Sequence, residues 1–369
     1  MITKYLKNIN YTILISILCL FVFSLFMISS ATDSNLYQVN RFIKVQSLSF
    51  VIGIIVMFLI MLFDYKLLKK FDIYIYIIAI ILLLLVYIPN LGIVSNGSRS
   101  WIDLGVINLQ TSEITKICFI IVLASFLSKE DTNINSFKDF SISLIILLPV
   151  IILLLLQPDL GNALVFIIVY LGMIFLSGLN LKVIFAGAIG SILTLPFIYK
   201  YLKPHQQLRI DAFLNPNDPS MPGYYQVYQS KITLGSGKLF GKGIFDGVYH
   251  KYDYLPVRES DFIYAVIGEE TGFLGTGLVL LVYFIFLYQL INSATRSKDK
   301  FGGLIIFGIV FMFAFQIFEN IGMTIGLMPV TGITLPFLSY GGSSIVTNFI
   351  AIGLVFSIYT RRLRRTKMD

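Results

Sequence analysis

The stretch RESDFIYAVIGEETGFLG, residues 258–275, sets Glu259 and Asp261 at the lip of a long apolar run and Glu269 and Glu270 inside it. Ionisable groups are costly in a membrane interior and are seldom kept there without a use. A carboxylate at an apolar boundary has its pKa raised by desolvation, which suits a general base. The same place is also where a helix N-cap belongs, with Ser260 or Asp261 accepting bonds from the first free backbone N–H groups. The residues alone leave both readings of Asp261 open. Glu270 is about 13 Å further along a helix and on the opposite face. The four acids therefore do not form a paired-carboxylate site of the glycosidase kind. Asp261 stands apart at the mouth.

Glu113 and Lys116, in NLQTSEITKICF, share one helical face and can neutralise each other. They read as a structural ion pair or as the charged wall of a water-filled groove, where Lys116 meets a phosphate or orients Asp261. NGSRSWIDLG, residues 96–105, is turn-rich and holds the only tryptophan, Trp101, a residue type that anchors chains at membrane edges. Arg99 beside it is a cation suited to a phosphate. QSKITLGSGKLFGKG, residues 229–243, lacks the P-loop spacing, yet as a flexible loop it offers Gln229, Ser230, Ser236 and Lys242 to an anionic substrate. MPVTGITLPFLSYGGSS, residues 328–344, packs prolines and paired glycines into a connection at membrane depth, with Ser343 as a candidate contact. Broken backbone at that depth must be buried in protein or line a cavity. Asp159, in QPDLGNA, is placed to cap the helix that follows.

These groups need elements to position them. The chain of 369 residues is 57% hydrophobic and only 13% charged, which excludes an ordinary soluble domain. Its mean hydropathy is +0.84. Runs of about 20 apolar residues, enough to cross a bilayer as a helix, recur throughout. Ten candidate spans fall near 11–30, 45–63, 72–91, 111–128, 140–157, 160–178, 181–200, 262–292, 302–325 and 340–360. An even number puts both termini on one side. That side collects Lys4, Lys7, Lys66, Lys69, Lys70, Lys129, Lys138, Lys182, Arg296, Lys298, Lys300 and the tail Arg361, Arg362, Arg364, Arg365 and Lys367. The other side has little beyond Arg41, Lys44 and Arg99. By the positive-inside rule both termini are expected in the cytoplasm, and the net charge of +8 anchors topology instead of binding nucleic acid. Lys4 and Lys7 before an apolar run have the flavour of a cleavable signal, but the run is about 18 residues, too long for a signal core, and is kept as the first span. Cys19 and Cys118 lie in spans without metal-ligand neighbours, so they are read as core residues and no disulfide framework is expected. The one long connection, residues 201–260, carries both histidines, His205 and His250, and many tyrosines and glycines. A loop of that length is usually a working part.

The succession SRSWIDLG, LQTSEITK, QPDLGNA, GYYQVYQSKITLGSGKLFGKG, LPVRESDFIYAVIGEETGFLG and GLMPVTGITLPFLSYGGSS resembles the SEDS family, the shape, elongation, division and sporulation polymerases of bacterial membranes. The resemblance runs from about residue 95 to the C-terminus. It implies an all-α polytopic membrane protein, one domain over 1–369, with about ten transmembrane helices and a large extracytoplasmic loop between helices 7 and 8. It implies peptidoglycan glycosyltransfer: lipid II units joined into glycan strands at the outer face of the cytoplasmic membrane. GSGKLFGKG, GLMPVTG and the short termini lean toward the RodA branch, which serves elongation and cell shape. The alternatives are a division- or sporulation-specific paralogue, or a lipid II flippase served by the deeper acids Glu269, Glu270 and Glu319. By resemblance, Asp261 in SDFIY is the essential acid, and Arg99 and Trp101 match an RWI-type loop with Ser100 intervening. Glu113 and Lys116 match a PSE..K pair with Thr111 in place of proline. Val257 stands where glutamate is usual and Thr334 where proline is common. The family also implies a class B penicillin-binding protein transpeptidase as partner within a cell-wall elongation complex. A divalent cation, Mg2+ or Mn2+, is a further expectation, with no organic cofactor.

Overall fold

Each anticipated apolar stretch is a helix, even with Pro149 inside one of them, because in apolar surroundings a backbone can satisfy its polar groups only internally. In chain order the helices are α1 (Tyr11–Ala31), α2 (Arg41–Leu62), α3 (Asp72–Leu85), α4 (Thr111–Leu127), α5 (Phe137–Leu156), α6 (Leu160–Leu176), α7 (Leu181–Tyr201), α8 (Pro204–Leu214), α9 (Tyr224–Ser236), α10 (Ile263–Thr295), α11 (Lys300–Ile325) and α12 (Gly342–Thr360). The computed structural model describes residues 8–32, 40–89, 91–95, 98–103, 105, 108–201, 204–215, 218, 224–248 and 254–362. Lys4, Lys7, Tyr249, His250, Tyr252, Arg364, Arg365 and Lys367 lie outside these. Six helices, α1, α2, α5, α10, α11 and α12, are long and apolar enough to cross a membrane. Two expectations need correction. The fold is not wholly helical, because a three-stranded antiparallel sheet, β1 (Gly92–Ser95), β2 (Ser98–Asp103) and β3 (Asn108–Gln110), fills the turn-rich segment before α4. Trp101 pairs with Ile93 on one side and Gln110 on the other. Nor is 201–260 structureless, since α8 and α9 lie within it.

Burial sorts the helices. In the most apolar part of α12, 89% of residues are buried, against 22% in α5, so α12 lies at the centre and α5 faces outward. Outward faces remain apolar, with Val22, Ile55, Leu148 and Phe284 exposed, as lipid contact requires and water would not tolerate. Small residues bring α2 and α12 together: a Cβ on Gly53 would fall 2.2 Å from the Phe349 ring, and one on Gly353 2.9 Å from the Met57 carbonyl. A relay of aromatic rings, Phe50 to Phe349 to Phe337 to Phe286, crosses the bundle at centroid spacings of 5.1, 5.4 and 5.9 Å. At one end of α2, Arg361 donates to the Met61 and Leu62 carbonyls, which the helix itself leaves free.

Two breaks in regular structure decide the rest. Between α11 and α12, residues 326–341 run irregularly, 333–339 of them through largely buried surroundings, and side chains from the helices satisfy that backbone. Ser24 donates to Leu338 O at 2.6 Å, Gln46 to Ser339 O at 3.1 Å and Tyr283 to Pro336 O at 2.6 Å. The second break is inside α10 at Gly272, with φ 67° and ψ −163°. There GSGKLFGKG supplies what the helix loses. Lys238 O and Leu239 O accept from Phe273 and Leu274, while Lys242 and Gly243 donate to Glu269 O and Glu270 O, at 2.9 to 3.2 Å. The glycines are there for close backbone approach: a Cβ on Gly241 would lie 2.1 Å from Glu270 O and one on Gly272 2.4 Å from Gly241 N. Gly272→Ala combines a left-handed φ with that clash. It is expected to cost on the order of 1–3 kcal/mol or more, read as a lower Tm in detergent.

Candidate active site

Asp261 is presented by a strained turn. Val257, a β-branched residue, holds φ 54°, a conformation that persists only when its surroundings enforce it. Its carbonyl gathers the N–H groups of Ser260, Asp261 and Phe262 at 3.3, 3.1 and 3.4 Å. The N-cap of α10 is Phe262, with no side-chain cap bond. The Asp261 carboxylate instead accepts the Ser260 hydroxyl at 3.0 Å, so the capping reading of Asp261 falls. The turn is tied to the buried connection: Ser339 Oγ donates to Ser260 O at 2.6 Å and Tyr340 N to Glu259 O at 2.9 Å. Gly332, at φ 79°, stands so close that a Cβ on it would lie 3.4 Å from Asp261 Oδ2.

The carboxylate opens into a cavity of about 440 Å³. Its walls include Trp101 from β2, Asp159 from before α6, Arg41 from α2, Arg209 from α8, Glu259 and Tyr340. Burial pushes the Asp261 carboxyl from 3.8 up to about 6; the Ser260 hydrogen bond and Arg209 oppose the rise and Glu259 adds to it. Asp159 does cap α6, accepting from Asn162 N at 3.2 Å, and the Asn162 amide also donates to it. Burial raises its pKa as well, against Asn162 and the Lys116 charge. Glu113 and Lys116 form a buried ion pair, Nζ to Oε1 at 2.7 Å, with Lys116 only 1% exposed. Ser112 Oγ, in the same turn of α4, donates to Asp159 Oδ2 at 3.4 Å.

The structure thus brings Asp261 and Trp101 into one cavity and sets the Glu113–Lys116 pair within electrostatic reach of its Asp159 wall. Other candidates sit elsewhere. Arg99 does not line the cavity; its Nε lies 3.1 Å from the position of a Cβ on Gly92 of β1. Gln229, Ser230, Ser236 and Lys242 do not line it either. Ser230 donates to Thr324 O at 2.9 Å and Ser236 to Thr233 O at 2.8 Å. Lys242 pairs with buried Glu269 at 2.7 Å. Ser343 accepts from Gln110 N at 3.1 Å, joining β3 to the start of α12, while its neighbours Gly342 and Ser344 face the cavity. Of the deeper acids, Glu269 also accepts from Val248 N, Glu270 accepts from Ser30 and Glu319 accepts from Thr331. Sequence reasoning missed the cavity's own cations. Arg41 was visible only as a topology charge, and Arg209 was one unremarked cation in a long loop. No three of His, Cys, Asp and Glu converge into a metal centre among the described residues.

Residues 8–364 match the FtsW/RodA/SpoVE family of cell cycle proteins. The chain is 38% identical over 325 residues to stage V sporulation protein E of Bacillus subtilis, covering 86% of each. It is 32% identical over 361 residues to peptidoglycan glycosyltransferase MrdB of Escherichia coli, covering 98% of this chain and 96% of that one. Among solved structures, a chain from a peptidoglycan synthase complex described as coordinating polymerization and crosslinking superposes with a TM-score of 0.82 at 29% identity, over 96% of this chain and 98% of that one. The rod shape determining protein RodA of Thermus thermophilus superposes with a TM-score of 0.72 at 26% identity, with the same coverage.

The Asp261 shift has a sign that can be checked in solution. Its folded pKa, about 6, exceeds the unfolded 3.8, so the folded chain holds this proton more tightly. Stability from this group is fully present below 3.8 and is lost as pH rises through about 6. Asp261→Asn removes that loss. Thermal unfolding in detergent is therefore expected to show the variant gaining on wild type between pH 4 and 7.

Proposed function

Because this chain belongs to the FtsW/RodA/SpoVE family, we infer that it is a peptidoglycan glycosyltransferase, a multi-pass protein of the cytoplasmic membrane that polymerises lipid II into glycan strands. The observation that carries the chemistry is Asp261, a carboxylate with its pKa raised to about 6, opening into a cavity whose other walls carry Arg41 and Arg209. An acceptor sugar hydroxyl is a weak nucleophile near neutral pH. As its oxygen bonds to the donor's anomeric carbon, Asp261 takes the proton, and the bond to the lipid pyrophosphate breaks with its electron pair leaving on the pyrophosphate. A base near the working pH is the efficient choice for that transfer. Arg41 and Arg209 are fixed positive charges where the leaving group gains negative charge, which lowers the barrier more in a partly dehydrated cavity than in water. A single displacement inverts the anomeric centre and needs one acid and no nucleophilic partner, which fits the isolation of Asp261.

The apolar groove between α1 and α10, about 600 Å³ and lined by residues such as Leu18, Val22, Leu278 and Val282, has the chemistry that polyprenyl tails need. Holding donor and acceptor by their tails would convert part of the entropic barrier into binding. We place ten crossings of the membrane, both termini in the cytoplasm, and the cavity with the 201–260 segment on the outer face, which the positive-inside distribution supports. The physiological role we assign is cell-wall elongation and shape, as for the RodA-named relatives, within one membrane domain. The partner is a class B penicillin-binding protein transpeptidase, in keeping with the synthase complex that superposes on this chain.

Purified protein with its transpeptidase should polymerise lipid II, and Asp261→Asn should lower the rate about 100-fold or more, the range expected for loss of a general base. In wild type, kcat/KM should fall as pH drops through about 6. Polymerisation by the Asn variant at the wild-type rate would remove Asp261 as the base and turn attention to Glu259.

A further inference from the structure

The backbone carbonyl of Asp261, in the turn before α10, is held from another helix. We propose that Glu319 and Asn320, adjacent residues of α11, are positioning residues for Asp261, an inference that rests on the reading of Asp261 as the base. Asn320 is fully buried, and its amide nitrogen donates to two carbonyls from different segments, Asp261 O at 2.9 Å and Ile333 O at 2.8 Å. An asparagine amide has two N–H groups, and both are committed here. Glu319, also fully buried, accepts the Thr331 hydroxyl at 2.5 Å. Successive helical residues point in directions about 100° apart, so the pair holds the 331–333 strap from two sides.

Between the two holds sits Gly332, in the left-handed region, where an added Cβ would come into van der Waals contact with Asp261 Oδ2. Thr331 and Gly332 themselves line the cavity. α11 thereby fixes both the backbone of the base and the strap that runs beside its carboxylate. Desolvation is the largest cause of the raised Asp261 pKa. The charges that bear on Asp261 come from several elements: Glu259 on its own turn, Arg209 from α8, Glu319 from α11, and Arg41 and Asp159 across the cavity. None of these replaces the Asn320 bonds. Aspartate at 320 offers no N–H, and leucine leaves two buried carbonyls short of a donor.

The test is lipid II polymerisation by the purified protein with its transpeptidase, reading kcat, KM and the pH profile. Asn320→Leu is expected to lower kcat about 100-fold with KM little changed, the effect of displacing a reacting group by roughly 1 Å. With the turn loosened and Asp261 more hydrated, the acid limb of kcat/KM should move below about 6 toward 3.8. A merely structural asparagine would reduce the folded fraction and leave kcat per folded molecule and the acid limb of the survivors untouched. That result, or wild-type kcat, overturns the proposal. If Asn320→Leu fails to fold, the Glu319 pair decides. Glu319→Gln still accepts the Thr331 hydroxyl and should keep most activity, whereas Glu319→Leu should lose it with the same shift of the acid limb. Equal behaviour of the two overturns the proposal. Asp261→Asn run in parallel separates the failures. An inactive Asn variant beside a wild-type-like Asn320→Leu removes the clamp alone, and an active one removes the base and the clamp with it.

Discussion

A buried irregular segment must find a hydrogen-bond partner for nearly every backbone N–H and C=O, and in an apolar helix bundle no water is at hand to supply them. The 333–339 part of the connection between α11 and α12 is such a segment, and the bundle is arranged to satisfy it. Ser24, Gln46, Tyr283 and Asn320, from α1, α2, α10 and α11, each donate to it, and Ser339 returns a bond to Leu335 N. Four helices are thereby registered against one loop. Phe337, buried at φ 62°, is held in an unfavourable conformation by rings from α10, α11 and α12. The strain persists because moving the ring would open the core.

The same requirement explains the break in α10. Where Gly272 leaves the helical path, the carbonyls of Glu269 and Glu270 and the N–H groups of Phe273 and Leu274 find their partners in GSGKLFGKG. That loop is thereby anchored at the kink, and the long segment that contains it is tethered at one end. Buried charges obey the companion rule. Glu113 has Lys116 and Glu269 has Lys242, while the partly exposed Asp299 has Lys66 and the Tyr65 hydroxyl. Such pairs add little net stability over apolar residues of similar size, but breaking one leaves a buried charge uncompensated.

Asp261 and Glu319 have hydroxyl partners in place of bonded cations among the described residues, and of the two it is Asp261 that lines the cavity. It has a hydroxyl for a partner and a distant arginine, no bonded cation, and a cavity in front of it. Its neighbourhood therefore keeps it close to the point of taking up a proton. A structural carboxylate would be paired away from that point, as Asp299 is, held below the usual carboxylate range by Tyr65, Gly302 and Lys66. The strained Val257 turn and the Gly332 strap fit a position maintained for use.

The sequence by itself determined what depends on near neighbours. Hydropathy over windows of about twenty residues placed the helices; i to i+3 spacing paired Glu113 with Lys116; and the Asp159 cap followed from a turn residue ahead of an apolar run. The motif order added the family and singled out Asp261. Tertiary structure alone decided what depends on segments distant in the chain. A sheet too short to announce itself set Trp101 in the cavity wall and Arg99 beside Gly92 of β1. Loop-to-kink backbone bonding made GSGKLFGKG a structural splice and took Lys242 from the candidate site. The convergence of α2, α8 and the turn before α10 supplied Arg41 and Arg209. Asp261 was legible as an acid in an unusual place, yet cap or base could be separated only by seeing which N–H groups it fails to reach. Local propensity is written in consecutive residues, whereas the field and hydration of a side chain are set by whatever the fold brings within a few ångströms of it.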